Sequence, residues 1–357
     1  MGDGIAATSA VRLTGGDTAA RPREASTGSS LQGSWAAPDS RRVLQLALAG
    51  LWLLDAVLQY QSAMFSRAFP QMLADAARGN PAVIADPITW TARLIDHHVV
   101  AMNAIFATIQ LLLGLGIAWR PTVRLALGAS IAWALAVWWL GEGLGMVLTG
   151  TASPVNGAPG AVILYALLAV LLWPAARDRP SRFVAGRAVG TGAARLLWLV
   201  LWGSLGYLAL QPAVRAPQAL SHSVSEMASG QPGWLAAADS DLGRLLSHQG
   251  LAASIILAAA LVTIALGIYL PLPAVRAVLI LAMAVASLIW VAQGLGGLFS
   301  GSGTDPDSGP LLVLLAAAYW PARQRTAGGS PVPESPVRGS AVPGSPVPGS
   351  PTPGSPT

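Results

Sequence analysis

Four ionisable residues stand at or inside stretches of sequence that are otherwise apolar, and they are the residues best suited to chemistry. They are Asp55, His97, His98 and Glu142. A charged side chain at membrane depth costs about 2.5–3.5 kcal/mol on insertion scales, so such residues usually mark a binding site or an ion pathway. Carboxylate and imidazole groups together predict a polar site that relays protons or binds a cation.

A spacing of seven residues adds to this site. Asp96, Asn103 and Gln110 fall on one stripe of a helix, which should face the interior of a helix bundle. A structural interpretation stays open beside the functional one. Asp96 would then cap a helix, the two histidines would form hydrogen bonds at the membrane interface, and Glu142 would be solvated among lipid headgroups.

The second half of the chain repeats the first at a displacement of about 151 residues, which indicates a duplicated domain. The matched pairs are Glu142-Gly143-Leu144-Gly145 with Gln293-Gly294-Leu295-Gly296, Trp173-Pro174 with Trp320-Pro321, and His97 with His248. Asp55 aligns with Leu205, and Glu142 aligns with Gln293. Because the second copy has lost these charges, we expect the site to lie in the first copy.

The retained histidines suggest a second interpretation. His97 and His248 would meet across the two copies as metal or haem ligands, since neutral imidazole suits Zn, Cu or Fe. Adjacent histidines are not a ligand spacing on one helix, however, and no catalytic motif accompanies them. The sequence therefore predicts no metal site and assigns no cofactor. The chain has no cysteine, which excludes disulfides, thiolate metal sites and iron–sulfur clusters.

Composition points to lipid as the surrounding solvent. Of 357 residues, 53% are hydrophobic and 10% are charged, against roughly a quarter charged in soluble domains. Apolar runs of membrane-spanning length predict eight spans, at 43–61, 97–118, 122–146, 159–176, 195–213, 249–270, 274–298 and 309–322. The predicted fold class is an all-α integral membrane protein, with eight transmembrane helices forming two parallel-repeat four-helix bundles.

This interpretation divides the chain into five parts. They are a disordered cytoplasmic tail at 1–42, the first four-span repeat at 43–176, a cytoplasmic linker at 177–194, the second repeat at 195–322, and a disordered Pro/Gly/Ser-rich tail at 323–357. Long outer loops are expected at 62–96 and 214–248. Apolar spacings of three and four between Phe65 and Ala76 predict a short helix at the membrane interface.

The charge distribution predicts orientation. All 21 basic residues are arginine, and sixteen of them fall on one side of the eight-span arrangement. The positive-inside rule then places both termini in the cytoplasm, and the expected location is the plasma membrane. The expected partner is the lipid bilayer, with a membrane redox partner or a second copy of the chain as further candidates. Nucleic acid is not expected, because these arginines sit at helix ends and in tails.

The four-span unit resembles the DoxX/DoxD-type membrane family. The likeness rests on the span layout, on Gly143-Leu144-Gly145 with its echo at Gly294-Leu295-Gly296, and on the loop Gly157-Ala158-Pro159-Gly160. It covers about residues 43–176 and 195–322, and it implies a membrane subunit of a quinone- or haem-linked redox system. The residues themselves favour another function: a non-catalytic accessory or small-solute or ion-binding module, with an outward-facing polar cavity in the first repeat.

Overall fold

A computed structural model describes residues 39–175, 177–227, 231–301 and 303–321, which belong to one compact unit. This part of the chain is helical, with a single isolated bridge between Phe183 and Pro321 and no strand. Residues 1–38 of the predicted N-terminal tail, and the whole predicted tail at 323–357, lie outside the described residues. The remaining tail residues belong to the first helix, because Asp39 accepts a hydrogen bond from Arg41 N–H and caps it.

The helices vary widely in length. In chain order they are α1 Ser40–Leu58, α2 Ala68–Ala76, α3 Ala82–His97, α4 Val99–Ala118, α5 Val123–Leu140, α6 Ala161–Leu171, α7 Val184–Val189, α8 Thr191–Ala209, α9 Pro212–Arg215, α10 Ala219–Met227, α11 Gly233–Leu246, α12 Gly250–Gly267, α13 Leu272–Ala292 and α14 Ser308–Ala318. Short 3-10 turns occupy Ser62–Phe65, Arg120–Thr122, Gly143–Met146, Pro154–Asn156 and Gly294–Gly297.

Five helical segments of the described chain are long and apolar enough to cross a membrane: α4, Arg120–Leu140, α8, α12 and α13. The predicted all-helical fold is confirmed, as is the presence of several membrane-compatible helices. The other three predicted spans have different properties. α1 has 19 residues but carries Arg41, Arg42 and Asp55, while α6 and α14 have 11 residues each. The count of eight spans therefore stays a prediction.

The two segments expected as long outer loops are helical hairpins instead. The helix predicted between Phe65 and Ala76 is confirmed as α2, but α3 was not anticipated. α3 buries Ile88, Ala92 and Ile95 on one face, and this spacing of three and four is the pattern of an amphipathic helix. In the second half, α10 and α11 pair in the same way.

Contacts at the helix ends show that neighbouring helices run antiparallel. Arg42, at the start of α1, donates to the carbonyl of Ile117 at the end of α4, 2.9 Å away. Gln45 donates over 2.9 Å to the carbonyl of Leu172, just past the end of α6. These side chains satisfy C-terminal carbonyls that lack a partner within their own helix. α1 therefore runs opposite to both α4 and α6.

The two shortest apolar helices lie at the centre of the molecule. α6 and α14 are buried on almost every face and contact each other, and α1 also contacts α14. A helix that is apolar all round is suited to such a position. The Tyr319 hydroxyl, just past α14, donates over 2.5 Å to the carbonyl of Ala194 in α8. One hydrophobic core contains buried residues of both halves, among them Leu164 of α6 and Leu315 of α14.

The Gly-Leu-Gly segments that follow α5 and α13 have the same backbone conformation. Leu144 and Leu295 have φ of 58° and 54°, in the left-handed region, and the glycine after each is left-handed as well. At Gly145 a side chain is excluded, since its Cβ would lie 2.1 Å from the Pro159 carbonyl oxygen. This tight turn folds the chain back so that the following helix begins inside the bundle.

Candidate functional site

A cavity of about 330 Å³ lies in the first half of the chain, where α1 ends and α4 begins. The α2–α3 hairpin forms one wall. The residues that line the whole cavity are Trp52, Asp55, Gln59, Phe69, Met72, Leu73, Trp90, Thr91, Leu94, Ile95, Met102, Phe106, Gln110, Trp133, Ala136, Val137, Leu140, Gly141, Glu142, Val162, Thr304 and Asp305. Most of this wall is apolar or aromatic, and three carboxyl groups interrupt it.

Asp55 is the most deeply buried of the three carboxyl groups, with 2% of its surface exposed. It lies near the end of α1, and the Tyr165 hydroxyl of α6 is its neighbour. Neither Asp55 Oδ1 nor the Tyr165 hydroxyl makes a hydrogen bond of normal geometry. Trp52 stacks on Tyr165 with ring centroids 4.1 Å apart, and this packing holds the tyrosine against the cavity.

Glu142 follows α5 and reaches the beginning of α6. Its Oε1 accepts a hydrogen bond of 3.2 Å from Val162 N–H, so it satisfies a free amide and complements the helix dipole. Its Oε2 is buried and has no partner. Glu142 also borders a second, adjacent cavity of about 280 Å³. Glu142 is therefore held within the protein and not solvated at the headgroup level, and its buried Oε2 makes no hydrogen bond.

Gln293 takes the corresponding place in the second half. Its Oε1 accepts from the Ser308 hydroxyl at the start of α14, 3.3 Å away, and its amide donates to the Pro154 carbonyl over 3.1 Å. Glu142 and Gln293 thus anchor the starts of the two short central helices, α6 and α14. Of these two anchors, Glu142 in the first half is the acid, and its Oε2 has no partner.

Asp305 is supplied by the second half of the chain. Its Oδ1 accepts from Asp307 N–H over 2.7 Å, and its Oδ2 accepts from the Thr304 hydroxyl over 3.0 Å. Burial raises the pKa of Asp305. Burial, together with the neighbouring Asp305 charge, raises the pKa of Asp307 to about 7. Sequence comparison of the halves missed both residues, although two acids in a loop of Gly and Ser were a visible sign.

Two glutamine side chains complete the polar part of the cavity. Gln59 and Gln110 are 5% and 8% exposed, and the Oε1 atom of each has no hydrogen-bond partner. Asn103 shares the buried face of α4 with Gln110, but it does not line the cavity. Its amide donates over 2.7 Å to the Gln59 carbonyl and ties α1 to α4.

The remaining predicted site residues lie elsewhere. Asp96, His97, His98 and His248 are exposed, and none of them lines the cavity. Asp96 belongs to α3, and α4 begins after His98, so the stripe of seven-residue spacing crosses a helix boundary. Within the described residues, no three His, Cys, Asp or Glu side chains come close enough together to hold a metal ion.

Aromatic rings form a continuous wall beside the carboxyl groups. Trp133 meets Phe106 edge-on at 5.4 Å, and Phe106 meets Phe69 at 6.0 Å. Trp133 Nε1 is buried without a partner, whereas Trp52 Nε1 donates to the Ser130 hydroxyl over 3.0 Å. Among the lining residues there is no arginine, lysine or histidine. The cavity therefore combines an apolar surface with acceptor oxygens and acidic groups.

Compared with known proteins, the chain matches no family model, no curated protein and no solved structure. The resemblance to the DoxX/DoxD-type family stays a prediction.

Proposed function

We propose that the chain is a multi-pass plasma-membrane protein with eight crossings, built from two four-helix units, with both termini cytoplasmic. Support comes from the packing of α1 along α4 and of α14 along α13. A helix packed lengthwise on a spanning helix crosses the same layer. The charges of α1 sit at its ends, where Arg41 pairs with Asp178 at 2.7 Å and Arg42 caps α4.

The short central helices need a separate argument. Eleven residues rise about 16 Å, roughly half of the hydrocarbon thickness. Part of the segment before α6 is buried, with Ala152, Ser153 and Ala158 each no more than 3% exposed, although Thr151 and Asn156 are exposed. Irregular backbone is tolerated at membrane depth where protein surrounds it. Segment and helix together would complete the crossing that contains α6.

We further propose that the protein is a non-catalytic accessory module that binds a small solute or ion in the cavity of the first half. One observation carries this proposal: the unpaired oxygens of Asp55, Gln59, Gln110 and Glu142 belong to side chains that line one cavity. A buried polar atom without a partner costs about 1–3 kcal/mol. Four such atoms around one space are accounted for if a ligand supplies the missing hydrogen bonds.

A redox subunit that binds quinone is the other class of function. A quinone presents carbonyl oxygens and requires hydrogen-bond donors from the protein. Of the fully buried lining atoms without a partner, four are acceptor oxygens and one, Trp133 Nε1, is a donor. The solute-binding module is therefore the better supported of the two.

The test uses the purified full chain in lipid nanodiscs and a screen of small cationic, neutral and anionic solutes. We expect at least one solute class to raise the melting temperature, since a ligand at 100 times its Kd stabilises the folded state by about 2.7 kcal/mol. Asp55→Asn should reduce this shift, and Asp96→Asn should leave it unchanged, because Asp96 is exposed outside the cavity.

Two results would contradict these proposals. A screen in which no solute shifts the melting temperature would exclude a binding module of this kind. An absorption spectrum with a Soret band that is altered by His97→Ala or His248→Ala would favour the haem-linked alternative.

A further inference from the structure

The ligand class follows from the chemistry of the cavity. We propose that the cavity of about 330 Å³ binds a small organic ammonium ion with an apolar body. This inference rests on the proposed binding function and names the kind of solute it would serve.

Charge is the first argument. Asp55, Glu142 and Asp305 line the cavity, and no basic side chain lines it with them. Carboxylates removed from water need a counter-charge or hydrogen-bond donors. Arg41 and Arg42 are engaged at the opposite end of α1, with Asp178 and with the carbonyls at the end of α4. A cationic ligand would supply the charge that the protein itself does not place here.

Hydrogen bonding is the second argument. Asp55 Oδ1, Gln59 Oε1, Gln110 Oε1 and Glu142 Oε2 are buried acceptors without partners. A primary ammonium carries three donors and no acceptor, so it matches this set. A ligand rich in acceptors would leave these oxygens unpaired.

The aromatic wall is the third argument, and it separates an organic ammonium from a metal ion. Phe69, Phe106 and Trp133 stand in edge-to-face contact beside the acids, and aromatic faces attract ammonium groups. Hard metal ions prefer six or more oxygen ligands, several from carboxylates. The described acids do not converge in that way, and the apolar wall would contribute nothing to a bare ion.

The second half of the chain takes part in this site. Thr304 and Asp305 line the cavity beside Glu142, although both lie in the loop before α14. Asp305 is held by its hydrogen bonds to Thr304 and to Asp307 N–H. The duplicated half would thus provide one acidic wall of the binding site.

The experiment is calorimetric titration of the full chain in nanodiscs at neutral pH with 2-phenylethylamine, which is charged there. The matched probes are 2-phenylethanol, of similar size and neutral, and 3-phenylpropionate, an anion. We expect saturable binding of the amine, at least tenfold weaker binding of the alcohol and no binding of the anion. Asp55→Asn should weaken amine binding about tenfold or more, because a neutral amide does not balance the ammonium charge. A tenfold change corresponds to about 1.4 kcal/mol of binding free energy.

Controls separate ligand recognition from folding. Asp96→Asn makes the same chemical change at an exposed position and should bind the amine as the natural chain does. If Asp55→Asn does not fold, Glu142→Gln or Gln110→Leu provides the second variant, with an expected loss of several-fold. Helical circular dichroism would show that each variant is folded.

Each remaining outcome overturns the inference. If the alcohol binds as tightly as the amine, or if Asp55→Asn and Glu142→Gln bind the amine unchanged, the ammonium hypothesis fails while a solute-binding function survives. If the amine does not bind, the inference fails, and the wider solute screen then decides the proposed function separately.

Discussion

At the scale of single residues, Glu142 shows how one side chain can have a structural and a binding role at once. One oxygen fixes the start of α6, and the other stays unpaired at the cavity. Gly160 makes this arrangement possible. A Cβ atom at Gly160 would lie 2.2 Å from Glu142 Oε2, and its φ of +104° is a conformation that disfavours other residues.

We therefore predict that Gly160→Ala displaces the Glu142 carboxylate. The expected cost is about 1–3 kcal/mol of folding free energy from backbone strain, together with weaker ligand binding. Denaturant unfolding in detergent micelles measures the first effect, and titration measures the second. Gly50→Ala is the matched control, because nothing lies within 4 Å of a Cβ at this helical position. Alanine there should be neutral or stabilising by about 0.5–1 kcal/mol.

Unchanged unfolding of Gly160→Ala would contradict the predicted backbone strain, and unchanged ligand binding would contradict the displacement of the Glu142 carboxylate.

The residues that sequence reasoning could reach were those that break an apolar pattern. Asp55, Gln110 and Glu142 stand out for this reason, and the fold places all three at one cavity. The histidines also stand out but are exposed. Asp305 was out of reach because its placement depends on how the second half packs on the first. The two acids of the loop are visible in the sequence, but Asp305 lies about 160 residues from Glu142 in the chain, so no local pattern indicates that they share a cavity.

At the scale of elements, the loop before α14 contacts the first half of the chain and carries two acids, Asp305 and Asp307, whose pKa is raised by burial. Asp307 accepts from Ser308 N–H over 2.5 Å and caps α14. Asp305 lies beside it, and the charge of Asp307 also acts on Glu142. Because burial and the neighbouring Asp305 charge raise the pKa of Asp307 from 3.8 to about 7, the loop binds a proton more tightly when it is docked on the protein than when it is undocked.

The sign of the pH effect follows from this difference. Docking of the loop is favoured below about pH 4 and weakens as pH rises towards 7, because deprotonation is harder in the docked state. We predict that hydrogen-exchange protection of residues 303–307, corrected for intrinsic rates, falls between pH 5 and pH 8. Asp307→Asn should flatten this dependence, whereas Asp241→Asn, an exposed change in α11, should leave it as it is. Protection that rises with pH would contradict the assignment.

At the scale of the whole molecule, the long apolar helices were predictable from the sequence, and the number of membrane crossings stays a prediction. Long apolar runs mark α4, α8, α12 and α13 directly, because a span must be apolar along its length. The amphipathic α3 was missed since its polar face interrupts any long apolar run. α6 and α14 are shorter than the apolar runs at 159–176 and 309–322, because composition does not show where a helix begins and ends inside an apolar run.

The last prediction concerns the number of membrane crossings. The chain has no cysteine, so a single introduced cysteine can be labelled without background from other thiols of the chain. We choose three exposed positions, Arg78, Pro180 and Asp241, and replace each singly by cysteine. Eight crossings place 78 and 241 outside and 180 in the cytoplasm. If α1, α6 and α14 do not cross, leaving the five long segments, 78 and 180 share one side and 241 lies on the other.

The measurement is labelling of intact cells with a membrane-impermeant maleimide, followed by labelling after permeabilisation. We expect Arg78→Cys and Asp241→Cys to react in intact cells, and Pro180→Cys only after permeabilisation. The natural chain should not react under either condition. Matching reactivity at 78 and 180 would exclude the eight-crossing arrangement. It would also require α1 and α6, which pack on α4 and α5, to enter the bundle without leaving on the other side.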